Sequence, residues 1–328
     1  MAGGGASEVR LRGPMSGMTR PSTEPRYALV TAAYNEKEHI EKTLESVGNQ
    51  TILPRKWVIV SDGSTDGTDD IVREYAKGRP FIELVRREKG RGYDFASKVH
   101  AFQLGVGRVV DMSVDFVGNL DADVSFEPSY FAELLRKFEC DPDLGVAGGA
   151  IHEWDGEQYR PRPSNREHAV AGAVQMFRRP CFEDVGGLLP LKNGGEDWCA
   201  QVMARMNGWS VQTFPELEIR HHRPTGTTAG IIRYRFRQGL MDYSLGSGLL
   251  FEGFRICRRL FEYPALAGAM ARLCGYVWAY LGQRERPVPA AVVAYLHHEE
   301  SRRLWRLKKI IFDGSLYRNL WPRLMRLR

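Results

Sequence analysis

The chain has 328 residues, 43% apolar and 26% charged, which excludes disorder of the whole chain and allows one α/β domain of about 200–250 residues with an appendage. Its 46 Lys and Arg against 40 Asp and Glu give +6, but residues 251–328 hold 15 basic and 6 acidic side chains, so the surplus lies in the tail and the body is slightly acidic. Five cysteines, an odd number with no C-x-x-C pair, exclude a disulfide or zinc framework and suit reduced thiols in a cytoplasmic protein.

Residues 1–26 are rich in Gly, Ser, Pro and Arg and lack the apolar stretch of a signal peptide; they read as a flexible leader, with Met15 or Met18 as alternative starts. Tyr27–Ala33 is an apolar run that predicts a buried parallel strand, and Glu36–Val47 follows with helical spacing. Strands at Trp57–Val60, Phe81–Val85 and Phe116–Leu120 alternate with helices at Thr65–Tyr75 and Tyr93–Leu104. Strand then helix, repeated, predicts an open, mostly parallel Rossmann-like sheet flanked by helices, whose ligands bind beyond the carboxyl ends of the strands.

Past the fourth strand the spacing predicts a helix at Pro128–Phe138, a strand at Gly145–Ile151, a polar loop over the site at Trp154–His168, a helix at Asp197–Asn207, and short strands at Trp209–Phe214 and Leu217–Ile219. From Thr228 onward the segments are helical with Arg-rich faces, so 27–227 reads as the catalytic domain and 228–328 as a helical basic region. The apolar stretch Tyr263–Leu281 is interrupted by Arg272 and reads as a buried or interfacial helix, not a span. Around 302–312, basic residues interleave with Leu304, Trp305, Leu307, Ile311 and Phe312 at helical spacing. Such a helix suits an anionic bilayer surface, or packs on the domain with a solvated basic face.

Polar clusters fall at the strand ends. Tyr34-Asn35-Glu36 closes the first strand and Ser61-Asp62-Gly63-Ser64-Thr65-Asp66-Gly67-Thr68 the second; each alone is a turn and helix cap, but together they line a crevice where a carboxylate and an aromatic ring can hold a base or ribose. Asp121-Ala122-Asp123 puts two carboxylates just past the fourth strand, and close carboxylates repel unless a cation lies between them. Mg2+ and Mn2+ favour such oxygen ligands and leave room for diphosphate oxygens. His221 and His222 follow a predicted strand and read either as a surface pair or as a further metal ligand, His222 being preferred. Glu196-Asp197, after Gly194-Gly195, opens a helix, where acids complement the helix dipole.

Taken together, A-x-Y-N-E, V-S-D-G-S-T-D-G-T, D-A-D and G-G-E-D-W resemble the family 2 glycosyltransferases of the GT-A fold. The resemblance implies that Tyr34, Asn35, Glu36 and Asp62 meet the nucleoside of a sugar donor, with Arg91 and Lys98 toward its base or diphosphate. It implies that Asp123 binds the metal directly, that Asp121 lies nearer the ribose or metal waters, that Asp197 is the general base and that Glu196 orients the acceptor or the base. Trp198 is an acceptor-pocket or core residue, and Gln175–Arg179 with Gly186-Gly187 falls where the family shapes its sugar pocket. The expected activity is inverting, Mn2+- or Mg2+-dependent transfer from a nucleotide-diphosphate sugar to a saccharide hydroxyl, with a lipid-linked acceptor in polysaccharide assembly and peripheral attachment to the cytoplasmic membrane face. Three rivals stand beside it. A polyprenyl-phosphate sugar transferase would not need the Glu196-Asp197 base; a nucleotidyltransferase would carry a Gly-rich basic loop after the first strand; and the intact acidic set argues against a scaffold for membrane or nucleic acid.

Overall fold

A computed structural model describes residues 25–88, 95–223, 230–260 and 264–312. The chain separates into two compact units, one ending at Thr227 and the other beginning at Thr228.

The first unit opens with β1 (Tyr27–Ala33), α1 (Ile40–Gly48), β2 (Lys56–Asp62), α2 (Thr68–Ala76), β3 (Ile82–Arg87), α3 (Phe95–Val106) and β4 (Phe116–Leu120). The sheet is buried on both faces, and the alternation along its strands assigns side chains to two cores. Tyr27, Leu29, Trp57 and Ile59 pack with Ile40, Leu44 and Val47 of α1. Ala28, Val30, Val58 and Val60 face the other way, onto Val99 and Phe102 of α3. β3-β2-β1-β4 are parallel neighbours, as alternating strands and helices require.

Beyond β4 come β5 (Val124–Ser125), α4 (Tyr130–Cys140), β6 (Leu144–Trp154), β7 (Tyr159–Pro161), β8 (Val174–Arg178), α5 (Arg179–Val185), α6 (Glu196–Met206) and β9 (Ser210–His221). The sheet continues β4-β8-β6-β9-β5, and β8 is antiparallel to both β4 and β6. The spacing gave no signal for β8 or α5. The strand is five residues long, and its helix follows without a loop, with Pro180 in its first turn. The two short strands expected after Trp209 are one strand, which keeps its pairing with β6 through a register shift opposite Gly149 and Ala150. The loop expected at 154–168 contains β7, folded back on the end of β6.

Helix starts differ from the spacing for local reasons. Asn35 has φ 53°, a left-handed conformation that Asn tolerates better than most residues, so α1 begins only at Ile40 after a turn on the Glu36 carbonyl. Asp66 accepts the Thr68 N–H at 3.0 Å, and α2 starts there.

The second unit holds α7 (Ile231–Ser244), α8 (Leu249–Arg258), α9 (Ala267–Leu281) and α10 (Ala290–Phe312). Among the described residues no helix is long and apolar enough to cross a membrane. α7 and α9 cross at glycines: a Cβ on Gly239 would lie 1.9 Å from the Arg272 carbonyl oxygen, and one on Gly275 2.0 Å from that of Phe236.

Gly149 carries the bulged end of β6 past β9, where a Cβ would stand 2.0 Å from the Leu217 carbonyl oxygen, and its N–H donates to Tyr130 Oη at 2.9 Å. Gly149→Val is therefore expected to destabilise the first unit by about 3 kcal/mol or more, read as a lowered urea midpoint.

Candidate functional site

The two turns at the ends of β1 and β2 are tied to each other. Asn35 N–H donates to Ser64 Oγ at 3.1 Å and Thr65 N–H to Asn35 Oδ1 at 2.9 Å, while Glu36 N–H donates to Thr68 Oγ1 at 2.9 Å. Asn35 thus holds the crevice together, and Tyr34 beside it presents a half-exposed ring. Asp62 is buried at the end of β2; Ser97 Oγ donates to its Oδ2 at 2.6 Å and Arg87 lies 2.9 Å from its Oδ1. Arg87, the last residue of β3, escaped the sequence reading, although a cation one strand over from a strand-end carboxylate is a usable signal. Arg91 lies outside the described residues, as does its neighbour Asp94.

α3 links this crevice to the D-x-D. Ser97 reaches Asp62, and the next residue, Lys98, places Nζ 2.6 Å from Asp121 Oδ1. Burial works against the Lys98 charge, but Asp121, Glu196 and Asp197 outweigh it and hold the ammonium well above its ordinary pKa. Lys98 is thus the cation shared by the D-x-D and the Glu196-Asp197 pair.

Asp123 is buried, and β9 ends beside it. β5, immediately after the D-x-D, pairs with the last residues of β9, Val124 opposite His221, and His222 N–H donates to the Asp123 carbonyl at 2.9 Å. His221 Nε2 lies 3.4 Å from Asp123 Oδ1, and His221 Nδ1 lies 3.7 Å from Glu153 Oε1 on the neighbouring β6. Burial disfavours the His221 charge, but Asp123 and Glu153 reverse this and raise its pKa to about 9. Burial pushes Asp123 up, and His221, Arg223 and Lys98 more than compensate, holding it below the usual carboxylate range.

His222, the expected ligand, has both ring nitrogens engaged: Nδ1 with Tyr159 Oη at 2.8 Å and Nε2 with Ser125 Oγ at 2.9 Å. Burial lowers its pKa to about 4, so it is a neutral ring fastening β7 to β5. The geometry revises that expectation: the histidine facing Asp123 is His221. The register with β5 sets His222 across from Asp123; Asp123 itself precedes the strand, and its side chain turns to His221, which the pairing of β9 with β6 places beside Glu153. Glu153, which faces His221 from β6, was also missed, since its partner lies on another strand.

Glu36 sits in the same acidic field. Arg223 grips its carboxylate with both terminal nitrogens, 3.0 Å to Oε1, yet burial and the charges of Asp123 and Asp121 raise its pKa to about 7. Among the described residues no three His, Cys, Asp or Glu side chains stand together as a ready ligand set. Asp123 and His221 nonetheless offer one oxygen and one nitrogen donor in a buried acidic corner. That is the partial set expected of a cation completed by the phosphate oxygens of a bound nucleotide.

Glu196 and Asp197 open α6 from Gly195, whose φ is 90°. Asp197 Oδ2 accepts the Gly172 N–H at 3.1 Å and Oδ1 the Trp198 N–H at 2.8 Å; each oxygen keeps a second lone pair. The Gly172 carbonyl in turn accepts from Asn119 Nδ2 at 2.6 Å, and the Ala173 carbonyl from Asp121 N–H at 2.8 Å. Gly172-Ala173 therefore joins the D-x-D to the Glu196-Asp197 pair. A Cβ at Gly172 would stand 2.9 Å from Asp197 Oδ2, so only glycine allows this approach. Glu196 is buried, has no hydrogen-bond partner on Oε2 among the described residues, and is raised to about 7 by burial and Asp197 against the pull of Lys98. Of the stretch around Gln175, Gln175 Nε2 donates to the Asp197 carbonyl at 3.3 Å, and Arg178 binds the Leu144, Phe138 and Asp141 carbonyls as a structural group.

In the metal-free protein the folded state holds the His221 proton more tightly than the unfolded state does. The stabilisation by this pair is complete below the ordinary value of 6.5 and is lost as pH rises through about 9. The loss of stability in His221→Ala, followed by urea unfolding, is expected to be largest near about pH 6 and to shrink as pH rises through about 9 to the cost of the lost packing. A loss that stays constant across that range counts against the charged pair.

With this geometry in place, the profile of "Glycosyl transferase family 2" matches residues 28–206. The chain is 30% identical over 262 residues to "Putative glycosyltransferase EpsH" of Bacillus subtilis (strain 168), covering 71% of each. It is 30% identical over 177 residues to the poly-beta-1,6-N-acetyl-D-glucosamine synthase of Staphylococcus epidermidis, covering 48% of this chain and 41% of the synthase, less than half its length. Among solved structures it is similar to the mannosyltransferase PcManGT from Pyrobaculum calidifontis in complex with GDP-Man and Mn2+, with TM-score 0.54, 19% identity, and coverage of 94% and 91%. It is also similar to S. aureus TarS 1-349 in complex with UDP-GlcNAc, with TM-score 0.55, 15% identity, and coverage of 90% and 92%. At these identities the likeness is one of fold.

Proposed function

The chain belongs to glycosyl transferase family 2, and from that premise we propose that it is an inverting, divalent-metal-dependent enzyme moving a sugar from a nucleotide-diphosphate donor to a saccharide hydroxyl. The observation that carries the reading is the convergence of Asp123, His221, Asp121, Lys98, Glu196 and Asp197 at one end of the sheet. The crevice of Tyr34, Asn35, Glu36 and Asp62 adjoins it through Ser97 and Lys98.

Tyr34 offers a ring face to the nucleoside base, and Asp62, steadied by Arg87 and Ser97, accepts hydrogen bonds from base or ribose. Asp123 and His221 would hold Mn2+ or Mg2+, with Asp121 toward its waters or the ribose. When bound, the ion supplies positive charge against the charge developing on the departing diphosphate. Without an ion, a proton on His221 offsets the charge of Asp123 and Glu153, and that proton would be given up if the ring became a ligand. Asp197, fixed by the Gly172 and Trp198 N–H groups, takes the proton of the acceptor hydroxyl as that oxygen attacks the anomeric carbon from the face opposite the leaving diphosphate. One displacement inverts the anomeric configuration. The Mn2+ and GDP-Man bound to PcManGT, and the UDP-GlcNAc bound to TarS, support a nucleotide sugar and a divalent ion in this fold. The relation to a poly-N-acetylglucosamine synthase and the basic tail support a saccharide acceptor carried on a lipid at the membrane's cytoplasmic face.

A second reading makes Glu196 the base, favoured by its buried, unpartnered oxygen and its value near neutrality. The two are separated by substitution. With donor identified by slow hydrolysis in a screen of nucleotide sugars with Mn2+, Asp197→Asn is expected to keep donor affinity and lose turnover by about 10² or more, and Glu196→Gln to lose less. Near-normal turnover in Asp197→Asn removes it from the role, and no hydrolysis or transfer from any donor defeats the proposal.

For the metal, calorimetry of Mn2+ with the nucleoside diphosphate product should show His221→Ala weakening ion binding by about tenfold or more, and His222→Phe little. The reverse order would restore His222.

A further inference from the structure

α9 is amphipathic the wrong way round. A helix on a water-facing surface turns its apolar stripe inward and its charges outward. α9 buries Arg272 instead, together with Gly268, Ala269, Gly275, Tyr276 and Ala279. Arg272 Nη2 lies 2.6 Å from Asp242 Oδ2 and its Nε 3.4 Å from Glu252 Oε1, while Nη1 donates to Gln238 Oε1 at 3.1 Å. Arg255 completes the cluster, 2.6 Å from Asp242 and 2.8 Å from Glu252. The charges are thus paired inside the helical unit, as a group would be that cannot rely on water.

The outward stripe is apolar: Met270, Cys274, Val277, Trp278 and Leu281, preceded by Leu266, at intervals of three and four. Leu281 is 74% exposed and Trp278 62%. Leu273, Cys274, Val277, Trp278 and Leu281 line an open trough of about 820 Å³ that ends at Arg284. On α8, Leu249, Leu250 and Phe254 are exposed as well.

Charge identifies what covers this face. Residues 251–328 carry 15 basic against 6 acidic side chains; Arg255 and Arg272 are paired inside, but Arg258, Arg284 and Arg302 are exposed. An apolar stripe edged by Trp and followed by Arg matches the boundary between acyl chains and anionic headgroups. Fifteen helical residues reach about 22 Å, short of the roughly 30 Å hydrocarbon core, so the helix suits lying along the interface and not crossing it.

We infer that the outer face of α9 docks the protein on an anionic phospholipid bilayer, with Trp278 and Leu281 among the acyl chains and Arg284 at a headgroup phosphate. This surface is formed by α9 and not by the basic segment 302–312 that the sequence singled out, and the inference stands whether or not the catalytic proposal holds.

The test is co-sedimentation of the full chain with vesicles of phosphatidylcholine and phosphatidylglycerol in about 7:3 ratio, against phosphatidylcholine alone. A polarity-sensitive fluorophore on Cys274, in a Cys140→Ser/Cys257→Ser background, reports insertion. The protein is expected to bind the anionic vesicles with a blue shift of the dye. Trp278→Asp/Leu281→Asp should weaken partition on the order of tenfold or more, and Arg284→Glu should weaken it on anionic vesicles only. Circular dichroism should show the variants folded, since the substituted side chains are exposed. Failure to bind, including a face already covered by the chain's own C-terminal residues, overturns the inference. So does equal binding of the double variant, or a dimer of the parent protein that the double variant abolishes.

Discussion

Glu36, Asp121, Asp123, Glu196 and Asp197 converge at the carboxyl end of the sheet, and their mutual repulsion in a partly dry crevice is the constraint the rest of the first unit answers. Lys98 stands between Asp121 and the Glu196-Asp197 pair, His221 faces Asp123, and Arg223 grips Glu36. Among the described residues three cations face five acids, and burial, with the charges of neighbouring acids, raises Glu36 and Glu196 to about 7. A divalent cation suits such an acidic field, and its charge would let an anionic diphosphate approach the same acids.

The scaffold converts this electrostatic need into positions. β4 delivers the D-x-D, β5 and the end of β9 bring His221 beside it, and β6 supplies Glu153 behind His221. The Gly172-Ala173 backbone then joins Asn119 and Asp121 on one side to Asp197 on the other. Acids far apart in sequence are thus fixed by main-chain hydrogen bonds, which hold their geometry better than pairs of long side chains do.

In the second unit the same physics runs in reverse. Asp242, Glu252, Arg255 and Arg272 neutralise one another inside the helices, while apolar side chains of α9, with Arg284 after them, are exposed. The charge along the chain is uneven in the same way: the body is slightly acidic and the tail basic.

Much of this was legible in the sequence because it rests on local pattern. The apolar runs of β1 and β4 coincide with the strands, and acids at strand ends in an α/β pattern point to a ligand crevice. Helix starts at 40 and 68 were set by Asn35 and Asp66, whose turns delay a helix that spacing alone would begin earlier. What the chain order could not give was anything decided across strands. β8 runs antiparallel between β4 and β6, a direction that five residues cannot encode by themselves. Whether His221 or His222 meets Asp123 depends on contacts between distant segments: Tyr159 and Ser125 hold the His222 ring, while the Asp123 side chain turns to His221 beside Glu153. Residue types and their local spacing were the sequence's to determine; which of two adjacent side chains faces the acids, which glycine lets Asp197 approach, and that Arg272 turns inward were settled by packing, because each depends on a neighbour distant along the chain.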